Sequence, residues 1–159
     1  MARIEHRTAK LTMPQQRAFL EVHVPGRIRS IQSALEQGTY RELAAAAIFS
    51  RAIANFLGIS TRSGRLCADR KYFQHADGQS WEVKIRDVGG QFVDLDTLST
   101  ADKSALEDGI NETDRAFAHL TFWSDSSSQN DSGTANDEHI ELQAQRIRLF
   151  CDTVNPLVL

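Results

Sequence analysis

TYRELAAAAIFSRAIANFLG, Thr39–Gly58, is apolar on nearly every side when wound as a helix. Leu43, the alanines 44–47, Ile48, Phe49, Ala52, Ile53, Phe56 and Leu57 leave few polar positions. Thr39 stands three residues before Glu42, the spacing at which each side chain satisfies the other's backbone donor at a helix start. Gly58 suits the exit. A helix of this kind is central to a bundle, and its alanines let neighbouring backbones come close. Only Arg51 and Asn55, one turn apart, interrupt the apolar surface late in the segment. They form either a solvent-facing ridge or a polar pair pointed into a cleft, and are therefore candidate binding residues.

Toward the N-terminus, TMPQQRAFLEVHVPGRIRSIQSALEQG repeats Leu20, Val24, Ile28, Ile31 and Leu35 at helical spacing. Pro14 fits the first turn and Gly38 the position after the last. Pro25 falls inside the pattern, where it removes a backbone donor and crowds the preceding turn. The continuous stripe predicts a kinked helix rather than two separate ones. His23, beside the stripe, reads as partly buried structure.

Toward the C-terminus the helical period stops at Ser60 and returns at Ser99. STRSGRLCADRKYFQHADGQ has no clear face, although a short helix over Leu66 to His75 is compatible with it. SWEVKIRDVGGQFVDLDTL alternates Trp81, Val83 and Ile85 with charged residues, meets Gly89-Gly90 and resumes with Phe92, Val93 and Leu95. This reads as a small hairpin whose apolar face covers a helix. Next, Ser99 precedes Asp102 at capping spacing, and Leu106, Ile110, Phe117 and Leu120 form a stripe. SDSSSQNDSGTAND is nearly free of hydrophobes and reads as a mobile loop, residues 124–136. A last amphipathic helix carries Ile140, Ala144, Ile147, Cys151 and Val154 on one face, widened by Leu142, Leu149 and Phe150, and ends near Pro156. The predicted fold is mainly α: a bundle of about four main helices with a small β-hairpin inserted between helices 2 and 3. Residues 1–159 form one domain, with 60–98 as the hairpin or irregular insertion.

At 159 residues and 41% hydrophobic content, one sizeable core is expected. No window approaches the roughly 20 apolar residues that span a bilayer, and no apolar run near the start suggests a signal peptide. A cytoplasmic chain without a membrane association is the expectation. Cys67 and Cys151 have neither a zinc or redox spacing nor the density of a disulfide scaffold, so both read as reduced thiols. No Glu-x-x-His, His-x-x-x-His, P-loop, GxGxxG or GxSxG occurs, so neither metal nor cofactor is expected.

The net charge of −3 conceals a sorted distribution. Residues 1–86 hold 14 basic against 7 acidic side chains, and residues 87–159 hold 4 against 14. Such asymmetry suits complementary contact within the chain or between subunits, or a basic face for phosphate. The arginines are spread without a dense basic run or interleaved aromatics, so RNA binding is disfavoured.

AFAHLTFW, with VGGQFVDL and the alanine-rich helix before it, resembles segments of small uncharacterised prokaryotic helical-bundle proteins. Their core is in turn distantly similar to the HEPN class of bundles. That resemblance implies a homodimer in which an Arg/His pair cuts RNA without metal. Arg115 and His119 are the matching catalytic candidates, although three residues separate them where the family has four to six. As an i, i+4 pair they share a helix face, where the guanidinium can hold phosphate while the imidazole moves a proton. Alternatively Glu112 and Asp114 pair with Arg115, and His119 caps its helix. Two functions are therefore carried forward. One is a self-associating protein-interaction module, a homodimer with room for another protein partner. The other is a HEPN-like metal-independent endoribonuclease or nucleotide-binding protein using Arg115 and His119, with Arg51 and Asn55.

Overall fold

A computed structural model of the chain describes residues 3–4, 10–74, 81–115 and 137–158. Among them the architecture is a mainly α bundle with a small antiparallel hairpin between its second and third main helices.

The first main helix has three parts: α1 (Met13–Ala18), a π turn (Phe19–His23) and α2 (Val24–Gln37). Pro25 explains the join. It cannot donate to the carbonyl four residues back, and its ring crowds that carbonyl. The turn widens instead, and the Val24 N–H reaches back five residues to Phe19 O. The helix continues through the proline, with the π turn absorbing the misfit. His23 ends up exposed, its ring 5.3 Å from Phe19, rather than partly buried. Gly38, at φ 69°, ends α2, and only Gly38 and Thr39 separate it from α3 (Tyr40–Phe56). So short a link forces the two helices antiparallel.

α3 starts as its sequence predicts, with Thr39 Oγ1 accepting from Glu42 N at 3.4 Å. It packs against α2, α4 (Thr100–Thr113) and α5 (Asp137–Val154), which makes it the central helix. Leu43, Ala46, Ala47, Ile53, Ala54 and Leu57 meet Ile31 of α2, Leu106 and Ile110 of α4, and Phe150 and Val154 of α5 in one core. Each fully buried Leu, Ile or Phe contributes about 1.5–3 kcal/mol relative to exposure. α4 is capped by Ser99, whose Oγ accepts from Asp102 N at 3.1 Å. α4 and α5 come close because Gly109 has no side chain: a Cβ there would lie 2.1 Å from Phe150 Cγ. Arg148 of α5 donates to Leu35 O at 2.9 Å, satisfying a carbonyl at the end of α2.

The hairpin is β2 (Ile59–Arg62) with β3 (Arg65–Ala68), not residues 81–95 as the alternation there suggests. Its turn residues Ser63 and Gly64 both have positive φ, 51° and 77°, which matches the twist of the flanking strands. The same pairing overturns the short helix over Leu66–His75, within the part that is described. Register runs from Ile59 opposite Ala68 to Arg62 opposite Arg65. The hairpin does lie over the bundle: Leu66 N donates to Glu107 Oε2 at 2.8 Å, and Asn111 donates to Gly64 O at 2.8 Å. A second, two-residue pairing joins β1 (Arg3–Ile4) to β4 (Tyr72–Phe73).

Between β4 and α4 the described residues include two 3-10 turns, Ile85–Val88 and Leu95–Thr97. The first closes because the Asp87 carboxylate accepts from Lys84 N at 2.8 Å and Gly90 N reaches Ile85 O at 3.0 Å. These local bonds displace the strand ladder that the period-two pattern predicts. The expected loop at 124–136 lies outside the described residues.

Candidate functional site

The end of α3 carries a dense polar cluster. Lys84 is 0% exposed, an extreme position for an ammonium group. Its Nζ donates to the Asn55 backbone carbonyl and to Asn55 Oδ1, both at 3.0 Å. Glu82 Oε2 stands 3.5 Å from it and Asp69 Oδ2 3.6 Å. Asn55 in turn donates through Nδ2 to Glu82 Oε1, and Phe73 N donates to Glu82 Oε2 at 3.1 Å. The Tyr72 hydroxyl lies 3.4 Å from Asp87 Oδ1.

Taking an ammonium out of water costs several kcal/mol, which pairing and hydrogen bonds must offset. Here two carboxylates and two carbonyl oxygens surround it, and one of the carbonyls belongs to the last turn of α3, where a cation also complements the helix dipole. The arrangement ties Asp69, Phe73, Glu82 and Lys84 to the central helix. A lysine serving as nucleophile or base needs a free amine open to substrate. Lys84 is fully buried, bonded to Asn55 and flanked by two carboxylates, so its chemistry is that of a clamp.

Arg51 and Asn55, one turn apart, go to different partners. Arg51 Nε donates to Asp114 Oδ1 at 3.0 Å, with the two side chains 26% and 35% exposed. Asn55 joins the Lys84 cluster and lines a cleft of about 200 Å³ with Arg27, Glu82 and apolar side chains from the π turn, α2 and α3. Arg115 follows Asp114 directly and is exposed. The Arg51–Asp114 pair therefore brings the late part of α3 to the chain position where the Arg115–His119 candidate begins. His119 itself lies outside the described residues. So do His6 and His75.

Lys84, Glu82 and Asp69 were missed in the sequence because WEVKI places Glu82 and Lys84 on the polar side of an apparent strand. The usable signal was that an acid and a base two apart share one side of an extended segment. That this side faces inward depends on Asn55, 29 positions from Lys84.

Elsewhere, Cys151 is fully buried and its Sγ lies 3.1 Å from Ser50 Oγ. Burial pushes its thiol from the ordinary 9.0 to about 11. Cys67 is half-buried, and both thiols are free. Among the described residues, no group of three or more His, Cys, Asp or Glu is placed to hold a metal, and no helix is long and apolar enough to cross a membrane. No family model, curated protein or solved structure matches the chain. The fold is a mainly α bundle with an inserted hairpin, held at the end of its central helix by the Lys84 clamp.

Proposed function

We propose that the protein is a self-associating interaction module that pairs with a second copy through the outer face of α5. The observation carrying this is the exposure of Leu142 and Leu149, 46% and 57%, seven residues apart on a helix whose Ile147, Phe150, Cys151 and Val154 point into the core. With Arg146 and Thr153 they form a stripe at i, i+4, i+7 and i+11 along the opposite side. Single exposed leucines are ordinary, but a repeated pair on one helix is the pattern of a partner seam. A stable interface buries about 1,200–2,000 Å² in all, so the flanking side chains of α5 contribute beside the leucines. The excess of basic residues before position 87 and of acidic residues after it adds attraction between copies. The proposed setting is the cytoplasm, which keeps the two free thiols reduced. Sedimentation of the full chain over a concentration series tests the reading: the mass rises from 17.8 kDa toward twice that value. A constant monomer mass contradicts it.

A second reading has one observation in its favour. The Arg51–Asp114 contact gathers Arg51 beside the position of Arg115, on two helices. A metal-independent ribonuclease or nucleotide-binding site would use Arg115 and His119 there, with Arg51 and Asn55 in support. Asp114 already neutralises Arg51, and Asn55 is held by Lys84, which is why self-association ranks first. Cleavage of labelled single-stranded RNA without metal, lost in folded His119→Ala, would establish this second reading. Equal cleavage by both proteins, or none, removes it.

A further inference from the structure

The cleft beside the Lys84 clamp is lined by apolar side chains together with charged ones. It lies beside the π turn, where Phe19 is set over Phe56, with ring centroids 5.8 Å apart and planes within 24°. Phe19, Val24, Phe56 and Val83 give it apolar walls. Its volume of about 200 Å³ lies below the ~300–1,000 Å³ of sites for drug-sized ligands, so the occupant is small.

Two charged residues of opposite sign line the same space. Arg27 is exposed, its guanidinium carbon 5.8 Å from the centre of the Phe49 ring, and it makes no ion pair among the described residues. Glu82 is held in place, its side chain only 13% exposed. Its carboxylate accepts from Asn55 Nδ2 and Phe73 N and lies near Lys84. A carboxylate offers about four lone-pair sites, so acceptor capacity remains for a ligand donor. A simple anion at Arg27 would meet the negative Glu82, and a simple cation at Glu82 would meet Arg27. A zwitterion satisfies both.

We propose that this cleft binds a free α-amino acid with an apolar side chain: the carboxylate on Arg27, the ammonium on Glu82 and the side chain against the wall made by Phe19, Phe56 and Val83. Pairing of the guanidinium with the carboxylate supplies orientation, and the apolar walls supply most of the driving force.

The test is an NMR titration of the full chain with L-phenylalanine and L-leucine at millimolar concentration. Saturable shifts at the Ala52, Phe56 and Val83 amides are expected. Arg27→Met, at an exposed position, weakens binding about tenfold or more. Ala52→Leu, which projects into the cleft, abolishes it while circular dichroism stays native. Phenylpropanoate and phenethylamine, each lacking one charge, bind about tenfold more weakly than phenylalanine. Absence of saturable shifts, undiminished binding by Arg27→Met, or equal affinity for phenylpropanoate overturns the proposal.

Discussion

Lys84 and Asn55 are joined twice: one buried ammonium donates both to the backbone carbonyl and to the side-chain oxygen of one residue at the end of the central helix, each at 3.0 Å. The bond ties the irregular segment before α4 to the bundle. Removing one member of a buried charge cluster leaves the others uncompensated, at about 3–5 kcal/mol. Lys84→Met is therefore expected to lower unfolding free energy by that amount in urea titrations. Lys84→Met combined with Glu82→Gln and Asp69→Asn recovers part of the loss. A loss below about 1 kcal/mol in the single variant would contradict the dependence of Glu82 and Asp69 on the buried ammonium.

The central helix was legible because every local signal there agreed: alanine-rich propensity, a capping Thr39 and a closing Gly58. The stripe across Pro25 was legible too, since a proline misfit has only a few local remedies. The hairpin was misplaced because Gly89-Gly90 is a loud turn signal, whereas Gly89, at φ 88°, ends a 3-10 turn. The quieter Ser63-Gly64 pair makes the true two-residue turn. Lys84 was illegible for a different reason. An inward-facing lysine is recognisable only from its long-range partners, and alternation alone assigns it to solvent.

Arg51 and Asn55 separate energetically as they do in space. Arg51→Met removes a partly exposed ion pair, for which solvent screening leaves about 0.5 kcal/mol. Asn55→Ala strips hydrogen bonds from both Lys84 and Glu82 and costs about 1–3 kcal/mol. Parallel thermal or urea denaturation of the two variants checks this ordering. Equal costs would contradict it.

Gly109 is required by packing. Gly109→Ala places a methyl where Phe150 Cγ lies 2.1 Å away, and overpacking costs about 1–3 kcal/mol despite the better helix propensity of alanine. Gly109→Ala with Phe150→Ala, which removes Cγ and Cδ2 from the clash and leaves only Cβ, is expected to be less destabilised than the sum of the single changes.

Cys151 gives a pH signature. Its folded thiol holds its proton up to about 11 against an ordinary 9.0. Because the folded value is raised, the associated stability is fully present below pH 9.0 and is lost as pH rises from there toward 11. That loss is roughly 2–3 kcal/mol, read as the difference between wild type and Cys151→Ala so that other alkaline titrations cancel. Thiol labelling near neutral pH should modify the half-buried Cys67 in the native protein and Cys151 only after denaturation. Rapid native labelling of Cys151 would contradict its place in the core.

The most direct test of self-association is sedimentation equilibrium of Leu142→Glu/Leu149→Glu beside the wild type, both at the highest concentration of the wild-type series. Two exposed substitutions on the outer side of α5 leave the core residues untouched, so circular dichroism should match the wild type. The account predicts a folded variant at the monomer mass of 17.8 kDa. A folded variant that remains dimeric would contradict it, and the outer face of α5 would not be the surface through which the copies meet.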